Sequence, residues 1–167
     1  NKIGQWFAIF ACEIPDKVVI HPSTEKIGID VGLEKFATLS NGEVIANPRY
    51  LIQSEHRLKL LQRRFSRKKK GSVNRRKGRF RLAKQHLKVA NQRNDFLHKI
   101  SRTITHKFAI INVEKLNITS MLKSHWLAKS IGDASWNTFI RNLEYKAVTS
   151  GSKLEKVNAR NTSRTCS

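Results

Sequence analysis

Hydrophobic periodicity changes near residue 49, and that change limits the folds open to this chain. Before it, KIGIDVG (26–32) alternates strictly, with Ile27, Ile29 and Val31 on one side and Gly28, Asp30 and Gly32 on the other. That is the period-2 pattern of a strand. FATLS (36–40) and EVIAN (43–47) continue as short strands, separated by Asn41-Gly42, a two-residue hairpin signal. Residues 26–47 therefore read as an antiparallel meander. After it, Leu51, Ser54, Leu58, Leu61 and Phe65 step by three and four. Phe80, Ala83, Leu87, Ala90, Asn94, Leu97, Ser101, Ile104 and Phe108 step the same way. Two helices with apolar seams, joined by the basic loop RKKKGSVNRRKG, make a helical hairpin. The second helix would run about 40 Å at 1.5 Å per residue.

Period-2 and apolar runs return after the hairpin. AIINVE (109–114) is an apolar run closed by Glu114, a buried-strand signature. Residues 117–133 are polar and read as a loop or short helix. Ser135-Trp136-Asn137 opens a helix with Trp136, Phe139, Ile140, Leu143 and Ala147 on one face, read as core, and Ser150-Gly151-Ser152 stops it. KLEKV (153–157) reads as a last strand. Ahead of the meander, 5–13 and 17–20 read as strands around a Pro15-Asp16 turn.

Three antiparallel strands, a helical segment, a strand, a helix and a strand is the order of the ribonuclease-H-like α/β fold, a mixed sheet, here with a long basic helical-hairpin insertion. In such a sheet the first strand is central and the strand after the helical segment lies parallel beside it. Asp30 and Glu114, 84 positions apart, would then meet. Two close carboxylates repel unless a cation sits between them. Hard oxygen ligands facing a phosphate substrate suit Mg²⁺ or Mn²⁺, and a pair of such ions serves phosphodiester cleavage. On this reading Gly28 and Gly32 leave room for metal and substrate. A lone Asp in a strand is more often a strand terminus without chemistry; Glu114 closing an apolar run raises the catalytic reading.

The chain carries 33 Lys and Arg against 12 Asp and Glu, a formal charge of +21. Such an excess points to a polyanionic partner, nucleic acid before an anionic membrane. Residues 49–107 hold 20 of the 33 basic residues and two acids, Glu55 and Asp95. The densest positive field is Arg63, Arg64, Arg67, Lys68, Lys69, Lys70, Arg75, Arg76, Lys77, Arg79 and Arg81. Backbone phosphates are the expected contacts, and with Phe65 and Phe80 the aromatics within the run, base stacking is secondary. WFAIFAC (6–12) is far too short to span a bilayer. Cys12 and Cys166 cannot define a disulfide framework, which fits a reduced, intracellular chain. The six His show no ligand spacing, and no Ser/His/Asp set or Walker-type loop is present.

IGIDVGLEKFATLSNG, NQRNDFLHKISR, INVEKLNI, SWNTFIRNLEYKA and NTSRTCS, in this order over residues 26–167, resemble the TnpB/OrfB proteins of bacterial and archaeal insertion sequences, whose relatives include the type V CRISPR nucleases. The resemblance implies an RNA-guided DNA endonuclease with a RuvC-type nuclease domain, acting on guide RNA and target DNA. It places Asp30 on the first catalytic acid, Glu114 on the second and Cys166 on the first cysteine of a four-Cys zinc ribbon. It implies that the helical insert lies along the guide–target heteroduplex, reading shape while base pairing reads sequence. His98, within the motif DFLHK, reads as a packing or polar contact. One departure stands beside the second acid: Lys115 replaces the Asp usual in the family.

The resulting expectations are these. Residues 1–20 are terminal strands of a preceding β-barrel domain, 21–158 the nuclease domain with an insertion over about 50–108, and 159–167 the start of a truncated zinc ribbon. Asn1 is not Met, and the chain is expected to be a fragment, with the third acid and three further zinc cysteines beyond Ser167. Zn²⁺ then belongs to the complete parent, since a structural zinc site needs four ligands. Cleavage by the fragment is expected to be weak or absent, in a cytoplasmic, nucleoid-associated, prokaryotic setting. The alternatives are a nucleic-acid-binding protein without cleavage and an actin-like ATP-binding protein. The latter would need a second lobe that 167 residues cannot supply.

Overall fold

A computed structural model describes residues 4, 6–12, 19–121, 123 and 126–158. In chain order the elements are β1 (Lys26–Val31), β2 (Lys35–Leu39), β3 (Val44–Ala46), α1 (Tyr50–Ser66), α2 (Val73–Lys107), β4 (Ile110–Glu114), α3 (Ile118–Met121), α4 (Ala128–Ala134), α5 (Trp136–Ser150) and β5 (Lys153–Val157). The chain divides into two compact units, one built on residues 50–94 and the other on 18–49 with 95 onward.

The second unit is a mixed α/β layer on one sheet. Among the described residues the strand order is β3-β2-β1-β4-β5. β1 is central, antiparallel to β2 and parallel to β4, and β4 is parallel to β5. Ile27 lies opposite Ile111 and Ile29 opposite Val113, so the odd-numbered apolar residues of both strands share one face. That face is the core, filled by Leu97, Ile104 and Phe108 of α2 or just beyond it, Ile131 of α4, and Trp136, Phe139 and Leu143 of α5. Each such side chain contributes roughly 1.5–3 kcal/mol when fully buried. A hairpin turn is present at Asn41-Gly42, but with a three-residue loop rather than the expected two: Leu39 N–H donates to Glu43 O at 2.9 Å and Gly42 N–H to Leu39 O at 2.9 Å. Of the two turn residues Gly42 alone takes a positive φ, +87°, the arrangement of a turn followed by a glycine bulge. The register of β2 on β3 shifts between Lys35 and Ala37. This bulge lets successive residues Phe36 and Ala37 join one core cluster, where a regular pleat would send them to opposite faces. Phe36 meets Phe96 and Phe139 edge-on, both at 5.1 Å between ring centres.

Polar contacts lock α2 to α5. Lys146 Nζ donates to His98 O at 2.6 Å and to the buried Ser101 Oγ at 2.8 Å. Tyr145 Oη lies 3.3 Å from His98 Nδ1. His98 thus makes polar contacts between the helices, as expected of it, and Ser101 joins it there. Gly151, at φ +76°, ends α5 and leaves room for the Val19 carbonyl.

The first unit is a helical hairpin. Ser72 caps α2, with Arg75 N–H donating to its Oγ at 3.1 Å. Arg75 stacks on Phe65 at 4.4 Å and donates to the carbonyls of Phe65 and Lys68 at the C-terminal end of α1 and just beyond it. Gly78 is buried against the Lys68 stem.

Three expectations are corrected. Residues 6–12 pair with no strand among the described residues, and Trp6 and Ile9 are almost fully exposed; a strand needs an edge to pair with. Residues 19 and 20 are likewise unpaired, and the Pro15-Asp16 turn lies outside the described residues. The basic loop is shorter than expected, because the Gly71-Ser72 turn starts α2 at Val73, making it about 52 Å long at 1.5 Å per residue. The seam in the first half of α2 runs through Leu82 and Val89 rather than Phe80 and Asn94, both exposed. The two halves of α2 belong to different units, so no single stripe is required to continue.

Candidate active site and nucleic-acid interface

Asp30 sits near the end of β1, opposite Thr38. Since Ile29 lies opposite Val113 in the parallel pair, Asp30 comes beside Glu114, the last residue of β4. Neighbouring strands lie about 4.8 Å apart, and residues in register point to the same face. Both carboxylates therefore stand on the face away from the core. They line one cleft of about 530 Å³ with Gly28, Thr38, Ser40 and Asn112. Asp30 is exposed and Glu114 half-buried. Neither makes an ion pair or side-chain hydrogen bond among the described residues.

A third acid, Glu155, belongs to the same sheet face, in register with Asn112. Its carboxylate is engaged by Lys153 at 2.7 Å. That hydrogen bond and the Lys153 charge, with a smaller contribution from Lys26, hold the Glu155 carboxyl below its ordinary range. Among the described residues, no three His, Cys, Asp or Glu side chains gather at a point where they could hold a metal. Asp30 and Glu114 are thus a two-carboxylate set. The Thr38 hydroxyl and Asn112 amide add neutral oxygens at the cleft, the donor type that Mg²⁺ and Mn²⁺ take. Sequence reasoning did not single out Thr38, Ser40 or Asn112. Asn112 was marked by its place two residues before Glu114 on the same strand face.

The two glycines flanking Asp30 differ. A Cβ on Gly28 would meet Ser40 Cβ at 3.5 Å, an ordinary contact, whereas one on Gly32 would stand 3.0 Å from the Lys35 carbonyl. Gly28 borders the cleft; Gly32 lets the chain turn tightly into β2. The expectation that Gly32 clears space for a metal gives way to that backbone reason.

In the helical unit Arg63, Arg64, Arg67, Lys69, Lys70, Arg76, Lys77, Arg79 and Arg81 are exposed. Lys68 and Arg75 are half-buried, and Arg75 is engaged at the hairpin turn. Arg81 shares a groove of about 750 Å³ with Arg57, Lys84 and Lys88. These three cations fall outside the densest run and became visible once α1 and α2 lay side by side. Cys166 and the rest of 159–167 lie outside the described residues. Among the described residues no helix is long and apolar enough to cross a membrane.

Comparison with known proteins gives a consistent result. The OrfB_IS605 family model, described as a probable transposase, matches residues 9–125. A second model, described as a Cas12f1-like TNB domain, matches 136–167. A protein of Streptomyces pristinaespiralis, provisionally named an RNA-guided DNA endonuclease, is 38% identical over 92% of this chain and 38% of its own length. InsQ of Escherichia coli K12, with the same provisional name, is 31% identical over 99% of this chain and 45% of its own. The chain spans about two-fifths of the length of these curated relatives. A solved structure of a Cas12f1–sgRNA–target DNA complex contains a chain of similar fold, with a TM-score of 0.54 at 16% identity, covering 93% of this chain and 40% of that one.

Proposed function

The chain belongs to the OrfB_IS605 family of probable transposases, and on that premise we propose that it is the ribonuclease-H-like, RuvC-type portion of a transposon-associated, RNA-guided DNA endonuclease. The observation that carries this reading is the placement of Asp30 beside Glu114, two carboxylates distant in sequence that face one open cleft. Their mutual repulsion favours a cation between them, and neither has a basic partner among the described residues. Asp30 and Glu114 would hold Mg²⁺ or Mn²⁺, in a two-metal hydrolysis of a phosphodiester. When bound, these ions supply Lewis-acid chemistry at the phosphate. Gly28 keeps the cleft wall low beside Asp30, and Thr38 and Asn112 offer hydrogen bonds to phosphate oxygens. The exposed Arg and Lys of α1, α2 and their turn would hold the backbones of guide RNA and target DNA, as electrostatic contacts that do not read sequence.

Glu155, the further acid on this sheet face among the described residues, is tied to Lys153, and on this reading cleavage by the chain alone is weak or absent. The test pairs metal binding with cleavage. Mn²⁺ titrated into the chain and followed by electron paramagnetic resonance should show a bound ion that Asp30→Ala and Glu114→Ala lose. Labelled single-stranded DNA with Mg²⁺ should be cut slowly or not at all. Robust cleavage that survives Asp30→Ala would sink the assignment of the site. Mn²⁺ binding indifferent to both substitutions would leave a nucleic-acid-binding protein without cleavage.

A further inference from the structure

Glu114 is a wall of two clefts. On one side lies the cleft it shares with Asp30; on the other is a groove of about 440 Å³ formed by the end of β4, the first turns of α5 and the end of β5. Lys115, Asn137 and Arg141 line that groove, with Glu144 and Lys156. The Lys115 backbone is fixed by its N–H donating to Val157 O at 2.8 Å. Lys156 pairs with Glu144, so that cation and that carboxylate cancel. Lys115 and Arg141 remain, both exposed, with no ion pair or side-chain hydrogen bond among the described residues. Two uncommitted cations and the Asn137 amide thus stand next to an acid whose own carboxylate serves the neighbouring cleft.

A phosphodiester reaching Asp30 and Glu114 belongs to a strand whose adjoining phosphates must rest nearby. Phosphates repeat along an extended strand on the scale of a few ångströms, so a strand crossing Glu114 would bring its next phosphate into this groove. We propose that Lys115 and Arg141 form a phosphate clamp that positions the nucleic-acid strand across Glu114. This rests on the nuclease reading of the Asp30–Glu114 cleft. Arg141 offers its planar fork and Lys115 a point charge, the two forms in which side chains hold phosphate. Both are positioning residues, since neither lines the cleft with Asp30.

The test uses the isotope-labelled chain, without metal, titrated with the dinucleotide pTpT and followed by NMR. Amide shifts at residues 115, 137 and 141 should saturate, and Lys115→Gln/Arg141→Gln should weaken that response about five-fold, the scale of two exposed ion pairs. Lys35→Gln/Lys123→Gln removes the same charge at exposed positions outside the groove and outside the basic helices and should leave the groove response unchanged. Shifts absent from the groove, or equal weakening by both double variants, would overturn the clamp. Mn²⁺ added alone tests the underlying reading through broadening at residues 30 and 114. Groove shifts without that broadening support the clamp and remove the metal reading. Broadening without groove shifts removes the clamp alone.

Discussion

Gly28 and Gly32 flank the same carboxylate, yet their missing side chains answer to different neighbours. Gly32 faces a backbone carbonyl that cannot retreat without opening the β1–β2 turn; Gly28 faces the cleft and Ser40 at an ordinary distance. Gly32→Ala should therefore cost about 1–2 kcal/mol, the scale of overpacking. Gly28→Ala should change stability by no more than about 0.5 kcal/mol. Urea unfolding of the two variants reads the difference, and an equal loss would mean that Gly28 is held by packing rather than by the cleft. Lys115 is a further residue-scale feature. It replaces an acid at this position in the resembled pattern, and the fold gives that reversed charge a groove with Arg141.

At the scale of elements, the contact between α2 and α5 runs through Lys146. Burial lowers its pKa below 10.5, and the charge of Arg102 adds to the shift. The folded protein therefore releases this proton before the unfolded chain does. Between the lowered value and 10.5 the unfolded state binds more protons, so this group makes stability rise with pH there. The stability of the parent chain minus that of Lys146→Met should be flat at neutral pH and climb through the alkaline range. Chemical denaturation at a series of pH values measures it, and a falling difference would contradict the burial argument. α2 also shows why a seam read from sequence drifts. Its first half buries Val89 in the helical unit and its second half Leu97, Ile104 and Ser101 in the sheet unit. Three-four stepping from Phe80 assumed one continuous stripe.

For the whole molecule the dominant quantity is charge. At +21, association with a polyanion releases counterions, and affinity falls with salt by about 0.9 log units per log unit for each duplex phosphate contact. Affinity for an RNA–DNA duplex, measured by anisotropy between low and moderate salt, should follow a steep line. Replacing the exposed Lys69 and Arg76 by Gln should lower the slope by roughly 1.8 if each meets one phosphate. An unchanged slope would place the duplex elsewhere on the surface.

Much of this was legible in the residues, because local rules act over a few positions. The alternation of 26–31 marked β1, Asn41-Gly42 its hairpin neighbour, Gly151 the end of α5, and the one-signed run 63–81 an exposed basic surface. Element order also implied that β4 lies beside β1. The sequence could not set the register. A slip of one residue in the β1–β4 pair would turn Asp30 and Glu114 to opposite faces, and Ile29 opposite Val113 is fixed by how the whole core fills. The bulge at Phe36, the frame of α2, the inward turn of Arg75 and the groove that Lys115 and Arg141 both line have the same origin. Each depends on contacts between segments far apart in the chain, which no local pattern encodes and which burial of the shared core decides.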